Sequence, residues 1–210
     1  MNDVSPYAAC CPPPSLRLPA WLATGLLSLL LSACEPSGNE AGGADIRFQR
    51  TGTVESALLD EISGLQASHR HPGVLWTHND DGRPRVHAMG ADGADRGYFD
   101  IEDAVNTDWE DMARIPGRDG RDLLVLGDVG DNRKRRSRVW LYLVEEPDPG
   151  PDGRFSGEVN WLHWISIAYP DGPQDTESIA WDPSGRQLLL LSKRQQPPVL
   201  YALDADTLFT

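Results

Sequence analysis

From residue 46 onward the apolar positions fall in short runs, none with the 3.6-residue spacing of a long amphipathic helix. Residues 74–77, 123–127, 139–144, 161–168, 188–192 and 199–203 are rich in Val, Leu, Trp and Tyr, with Gly, Pro, Asp and Asn between them. β-Branched and aromatic residues suit a pleated, half-buried surface, and the separators supply turns. The pattern predicts an all-β fold of many short strands: a sandwich, a barrel or a propeller.

Self-similarity selects among these. Three stretches share one pattern: Glu61-Ile-Ser-Gly-Leu65, Asp108-Trp-Glu-Asp-Met112 and Asp175-Thr-Glu-Ser-Ile179. Each runs from an acidic residue through Ser or Glu to an aliphatic. Each is followed by a run that ends in a polar pair, Asn79-Asp80, Gly127-Asp128 or Ser192-Lys193, and then by a third run at 85–89, 139–144 or 199–203. Units of this kind suit propeller blades with loops of varied length. The residues from 46 to 210 supply about three to four of them, so an incomplete propeller is expected.

These motifs carry a resemblance. Glu61-Ile-Ser-Gly-Leu65, Leu75-Trp-Thr-His-Asn-Asp80, Asp108-Trp-Glu-Asp111, Gly127-Asp-Val-Gly-Asp-Asn132, Tyr169-Pro-Asp-Gly172 with Asp175-Thr-Glu177, and Ser192-Lys-Arg194 occur in that order. They resemble a group of bacterial secreted proteins and lipoproteins similar to the "esterase-like activity of phytase" and SdiA-regulated propeller families. The resemblance implies a propeller fold and export, and little about activity. Members of that group are usually about twice as long, so a truncated reading frame or an inactive fragment is one expectation.

The first 34 residues read as an address. Residues 21–32 are apolar but too few to span a bilayer, Arg17 precedes them, and small residues follow. Leu31-Ser32-Ala33-Cys34 looks like a bacterial lipobox, which predicts cleavage before Cys34 and acylation of that residue; several chains on one residue anchor stably where a single chain is marginal. An ordinary signal peptide with a stray Cys is the other reading. Asp3, Cys10, Cys11 and three consecutive prolines make an unusual start, which a start codon assigned too far upstream would explain. Glu35 in place of Asp after the anchor resembles the pattern for outer-membrane sorting, with the domain facing the periplasm. The expected organisation is therefore a signal peptide at 1–33, a lipidated Cys with a flexible tether at 34–45, and a partial propeller domain at 46–210. Beyond residue 34 there is no Cys, so no disulfide can hold that domain.

Charge narrows the partners. With 32 acidic against 19 basic residues the formal net charge is −13, which argues against nucleic acid. The one basic cluster, Arg133-Lys134-Arg135-Arg136-Ser137-Arg138, reads as a solvated loop or as a contact for an anionic partner. The ligand or protein partner is otherwise unspecified.

If the repeated starts gather about a common axis, they bring together Glu61, Asp108, Glu110, Asp175 and Glu177. Asn79, Asp80, Asp128, Asp131 and Asn132 then stand at the ends of the next strands. An oxygen-rich set of this kind suits a hard cation such as Ca²⁺. Turn capping and ion pairing, for instance through Lys193, are the competing explanation. Gly127–Asn132 lacks the alternating ligands and final Glu of an EF-hand loop.

Catalytic signals are sparse: there is no Gly-x-Ser-x-Gly, no His-Glu-x-x-His and no phosphate-cradling Gly loop. Glu110, Glu177 and His78 are the candidates for acid–base work, and a metal-assisted hydrolase of esters or phosphoesters is the alternative to a non-catalytic binding protein. His69 and His71 read as loop residues, and His87 and His163 as structural.

Overall fold

The computed structural model describes residues 48–210, which are all-β apart from a 3-10 turn at Ala205–Phe209. Cys34 and the expected address segment lie outside the described residues. Twelve strands form three sheets. Sheet 1 contains β1 (Ile62–Ala67), β2 (Val74–Asn79), β3 (Arg85–Gly90) and β4 (Asp95–Ile101) in antiparallel sequence, with the short β8 (Glu158–Val159) added parallel to β4. Sheet 2 contains β5 (Trp109–Pro116), β6 (Asp122–Asp128), β7 (Val139–Glu145) and β9 (His163–Ile167). Sheet 3 contains β10 (Thr176–Asp182), β11 (Gln187–Ser192) and β12 (Leu200–Asp204). None of the sheets closes on itself. Among the described residues no helix is long and apolar enough to cross a membrane.

Sheet 2 is the middle layer. The run Leu123-Leu-Val-Leu126 is apolar at every position because both of its faces are covered, as expected of a doubly buried strand. Leu124 and Leu126 join Trp76, Val86, Phe99 and Ile101 of sheet 1, together with Trp109, Met112 and Val144. Leu123 and Val125 point the other way and pack with Ile179, Leu188 and Leu190 of sheet 3, together with Leu141 and Leu143.

The expected runs all became strands. β4 was not foreseen, because Asp95, Arg96, Gly97 and Asp100 break its apolar pattern. Its charges are held by partners from elsewhere in the chain: Arg85 makes two hydrogen bonds to Asp100, at 2.6 and 2.9 Å, and Arg154 reaches Asp95 at 2.9 Å.

The three repeats share one local geometry. The carbonyl of the first acidic residue accepts a backbone N–H from the end of the next strand: Glu61 from Asp80 at 3.0 Å, Asp108 from Gly130 at 3.1 Å, Asp175 from Lys193 at 2.9 Å. Sheets are also joined in the same manner, Trp109 N–H to Asp80 O at 2.7 Å and Thr176 N–H to Val129 O at 3.4 Å. β5 packs between β1 and β10, so the first strands of all three sheets lie side by side.

Replacing Leu124, fully buried between sheets 1 and 2, by Ala is expected to lower the unfolding free energy by about 2–5 kcal/mol. Leu162→Ala, at a residue 54 % exposed, should change it by less than about 0.5 kcal/mol. Urea denaturation of the two variants checks the difference.

Candidate functional site

Each first strand carries a β-bulge near its start. In β5 the register steps from Trp109 to Asp111 and leaves Glu110 as the extra residue; in β10 it steps from Thr176 to Ser178 and leaves Glu177. A bulge re-aims the side chain it releases. Here it turns Glu110 and Glu177 toward one another, and with Asp175 their carboxylate oxygens lie within 4.8 Å of one another.

Repeat 1 departs from this. Its bulge falls one residue later, at Gly64, where φ is +65° and a Cβ would stand 2.7 Å from His78 Nε2. Ser63 occupies the place of Glu110 and Glu177, and its hydroxyl donates to the Glu110 carbonyl at 2.6 Å. Glu61, which matches Asp108 and Asp175 in the repeat, lies in a second group, with Asp80 and Asp81, while the first group is Glu110, Asp175 and Glu177.

Asp108 stands beside Glu110 across Gly130. A Cβ on Gly130 would lie 2.5 Å from both Asp108 Cγ and Glu110 Oε1, so the absence of a side chain there is what gives the two carboxylates room. Gly130, which the sequence did not mark, is thus part of the site.

The other carboxylates are already engaged. Asp175, fully buried, accepts the Asp131 N–H at 2.9 Å and pairs with Arg194 at 2.5 Å. Glu177 forms an ion pair with Lys193 at 2.9 Å. Asp128 is buried against Arg136 at 2.9 Å and accepts the Asp108 N–H at 3.0 Å. Asp131 accepts the Arg136 N–H at 2.7 Å, and Asn132 accepts from Arg194. Asn79 donates to Leu58 O and Asp60, at 2.8 and 2.9 Å, a turn-tying role. Of the proposed ligands, Asp128, Asp131, Asn132 and Asn79 thus serve as loop and strand-end braces, as turn chemistry predicts. Arg136, from the cluster read as solvated, is half-buried and braces residues 128–131 through further bonds to Gly130 O and Asp128 O.

Asp108 and Glu110 make no side-chain hydrogen bond or ion pair among the described residues. Burial, then the nearby Glu177, Asp108 and Asp175 charges, raise the Glu110 carboxyl to about 8. Burial likewise raises Asp108, although Arg136 works against it. Asp80 and then Asp81 raise Glu61. Glu177 in turn holds the Lys193 ammonium above its usual value.

His78 is corrected as a general-base candidate. It is fully buried, its ring set edge-on to Trp109 at 5.4 Å, with Nδ1 3.0 Å from Asn79 O. Burial lowers its pKa to about 4, and no solvent-borne substrate reaches it. His87 is buried as expected. His71 packs on Phe155 and Trp76, and its Nε2 lies 2.8 Å from Pro147 O, so it is a structural residue and not a free loop histidine.

Below the acidic group, a groove of about 610 Å³ runs along the first strands, lined by Leu65, Met112, Ala113, Ile179 and Trp181 among others. No family model, curated protein or solved structure matches this chain.

Because Glu110 binds a proton more tightly in the folded state than unfolded, stability falls as pH rises from about 4.5 to about 8. Glu110→Gln should remove that loss. With chelator present, the variant should melt together with the wild type near pH 4 and above it at pH 8.5, by about 2–4 °C for each kcal/mol relieved. A thermal melt series over pH reads the gap.

Proposed function

We propose that this chain is an exported, lipid-anchored binding domain of β-propeller type, whose acidic opening holds a divalent cation of the Ca²⁺ class. The observation that carries the cation reading is a local charge imbalance. Asp108, Glu110, Asp175 and Glu177 gather at one place, while Lys193 and Arg194 supply two opposing charges. Two half-buried carboxylates are left without a counter-charge. A proton on Glu110 offsets one of them near neutral pH, and a divalent ion would offset both. The donors are carboxylate oxygens, which select hard cations over soft ones.

The propeller reading draws support from the recurring strand-end hydrogen bonds, the paired bulges at Glu110 and Glu177, and the adjacency of β1, β5 and β10. Export and anchoring rest on Leu31-Ser32-Ala33-Cys34 and the apolar run before it, with Glu35 favouring the periplasmic face of the outer membrane.

A second reading has its own observation. A half-buried glutamate with a pKa of about 8 is poised to exchange a proton near neutrality, as a general acid or base must. On this reading the domain is a metal-assisted ester or phosphoester hydrolase, with Glu110 moving the proton. Its activity would vanish with chelator and in Glu110→Gln. Turnover unchanged by either treatment rejects it.

Calorimetric titration of the chelator-treated chain with Ca²⁺ is expected to show one site, weaker at pH 6 than at pH 8.5 because the ion displaces a proton. Glu110→Gln, Glu177→Gln and Gly130→Ala should each weaken it at least tenfold, about 1.4 kcal/mol. A chain that takes up no Ca²⁺ or Mg²⁺ heat and shows no change in melting temperature removes the cation reading. For the anchor, labelled palmitate should enter the wild type and not Cys34→Ala; equal labelling would reject Cys34 as the acylated residue.

A further inference from the structure

Sheet 2 runs from β5, which carries Glu110, to β9 at its far edge, so β9 lies across the sheet from the acidic opening. Alternate residues of an edge strand turn their N–H and C=O groups away from the sheet, where a further strand can pair with them. Among the described residues no backbone hydrogen bond reaches the outer side of β9. The corresponding edge of sheet 1 is covered. There Tyr98 N–H donates to Phe155 O and Asp100 N–H to Gly157 O, both at 3.0 Å, and β8 continues the pairing.

β9 has none of the features that usually keep an edge unpaired. Its sequence, His163-Trp-Ile-Ser-Ile167, contains no Pro, Gly, Lys or acidic residue. Its pairing with β7 runs from Leu143–His163 to Val139–Ile167 without a bulge. Ile165 and Ile167 face the core shared with sheet 3. Trp164, on the other face, is 44 % exposed, and Leu162, just before the strand, is as open to solvent.

The charge around this edge is the reverse of the chain's own. Residues 159–170 contain no Asp or Glu, in a chain of formal net charge −13. Arg138 reaches the strand, its Nε donating to Ser166 Oγ at 2.6 Å, and Arg133 and Arg135 stand exposed in the loop that leads to it. β7 brings one carboxylate, Glu145, which Arg121 holds at 2.7 Å. At the other end of β9 a cavity of about 320 Å³ is bordered by Leu123, Leu162, Phe209 and Arg118. The acidic residue beside it, Asp119, is bonded to Arg121 at 2.7 Å.

We infer that β9 is the docking edge for a partner protein, which adds to sheet 2 an extended strand carrying acidic side chains. Strand addition draws its affinity from backbone hydrogen bonds and its selectivity from side-chain contacts. Here the cavity beside Leu162 takes an apolar side chain, while Arg138, with Arg133 and Arg135 beyond it, meets carboxylates. A second copy of this chain is the poorer match. Its β9 has no acidic residue to offer the arginines of its mate, and each copy brings a net charge of −13. The docking edge depends neither on the propeller reading nor on a bound cation.

The test uses the full chain in mild detergent and three labelled synthetic heptapeptides: one alternating Glu with Val, one alternating Lys with Val, and the Glu–Val peptide methylated at every peptide nitrogen. Fluorescence anisotropy is expected to show saturable binding of the Glu–Val peptide, unchanged by chelator. The other two peptides should bind about tenfold more weakly or worse, as should the Glu–Val peptide to Arg138→Glu, with the circular dichroism of that variant unchanged. Residue-resolved hydrogen exchange should show the fast amides among residues 163–167 slowed by the Glu–Val peptide. Absence of binding overturns the inference, as does equal binding of the Lys–Val peptide, of the methylated peptide or by Arg138→Glu. Slow exchange throughout β9 before any peptide is added also overturns it, since another segment or a second copy then already occupies the edge. Because the expected binding is indifferent to chelator, a failed cation site and a failed docking edge give different results.

Discussion

The junction of β5 with its two neighbours is the constraint on which the arrangement depends. A partly buried carboxylate there, Asp111, accepts the Ile179 N–H of β10 at 2.9 Å, and on the other side the Ser63 hydroxyl of β1 bonds the Glu110 carbonyl at 2.6 Å. Such bonds fix the offset between strands of different sheets, which have no ladder to align them. In a low-dielectric setting an amide left without its acceptor costs more than the bond contributes when made, so the offset resists slippage. The positions of Glu110 and Glu177 follow from it. Both are bulge residues, and both point where they do because the strands that carry them are pinned one or two residues away.

That pinning gives the acidic group its chemistry. Carboxylates forced together in partial burial must be protonated, paired or metal-bound. Two of these remedies are present in one small region. Arg194 and Lys193 pair with Asp175 and Glu177, a proton resides on Glu110 up to about pH 8, and the space opened by Gly130 leaves Asp108 and Glu110 facing each other. The basic run after residue 132 is part of the same balance: Arg136 enters the fold to neutralise Asp128, and Lys134 reaches Gln174. Within that run Arg136 is the residue that complements an acidic loop.

Much of this was legible in the residues and some was not, for physical reasons. The strands were visible where both faces or one face are apolar, as in β6 and β7. β4 was hidden because its charges are matched by partners distant in sequence, Arg85 and Arg154. The repeat was readable from its acidic starts, with Glu61 matching Asp108 and Asp175, and Ser63 matching Glu110 and Glu177. The one-residue displacement of the bulge in β1 was not, because a bulge position is set by cross-strand packing around Gly64 and His78, which no spacing rule contains. The glycine at 130 was equally silent, since its role lies in what a side chain would strike. His78 illustrates the reverse difficulty: its place at a strand end suggested reactivity, and only the packing of Trp109 over it shows otherwise.

One connection has a mechanical consequence. The loop that leaves sheet 2 after β7 crosses to sheet 1, where Phe155 enters the core and β8 lies alongside β4, before the chain returns to complete sheet 2 with β9. The segment that links β7 to β9 is thus docked on sheet 1. Those two sheets are tied into one cooperative body, while the third, entered by a single passage of the backbone after β9, is the element able to come away first when the molecule is warmed or pulled.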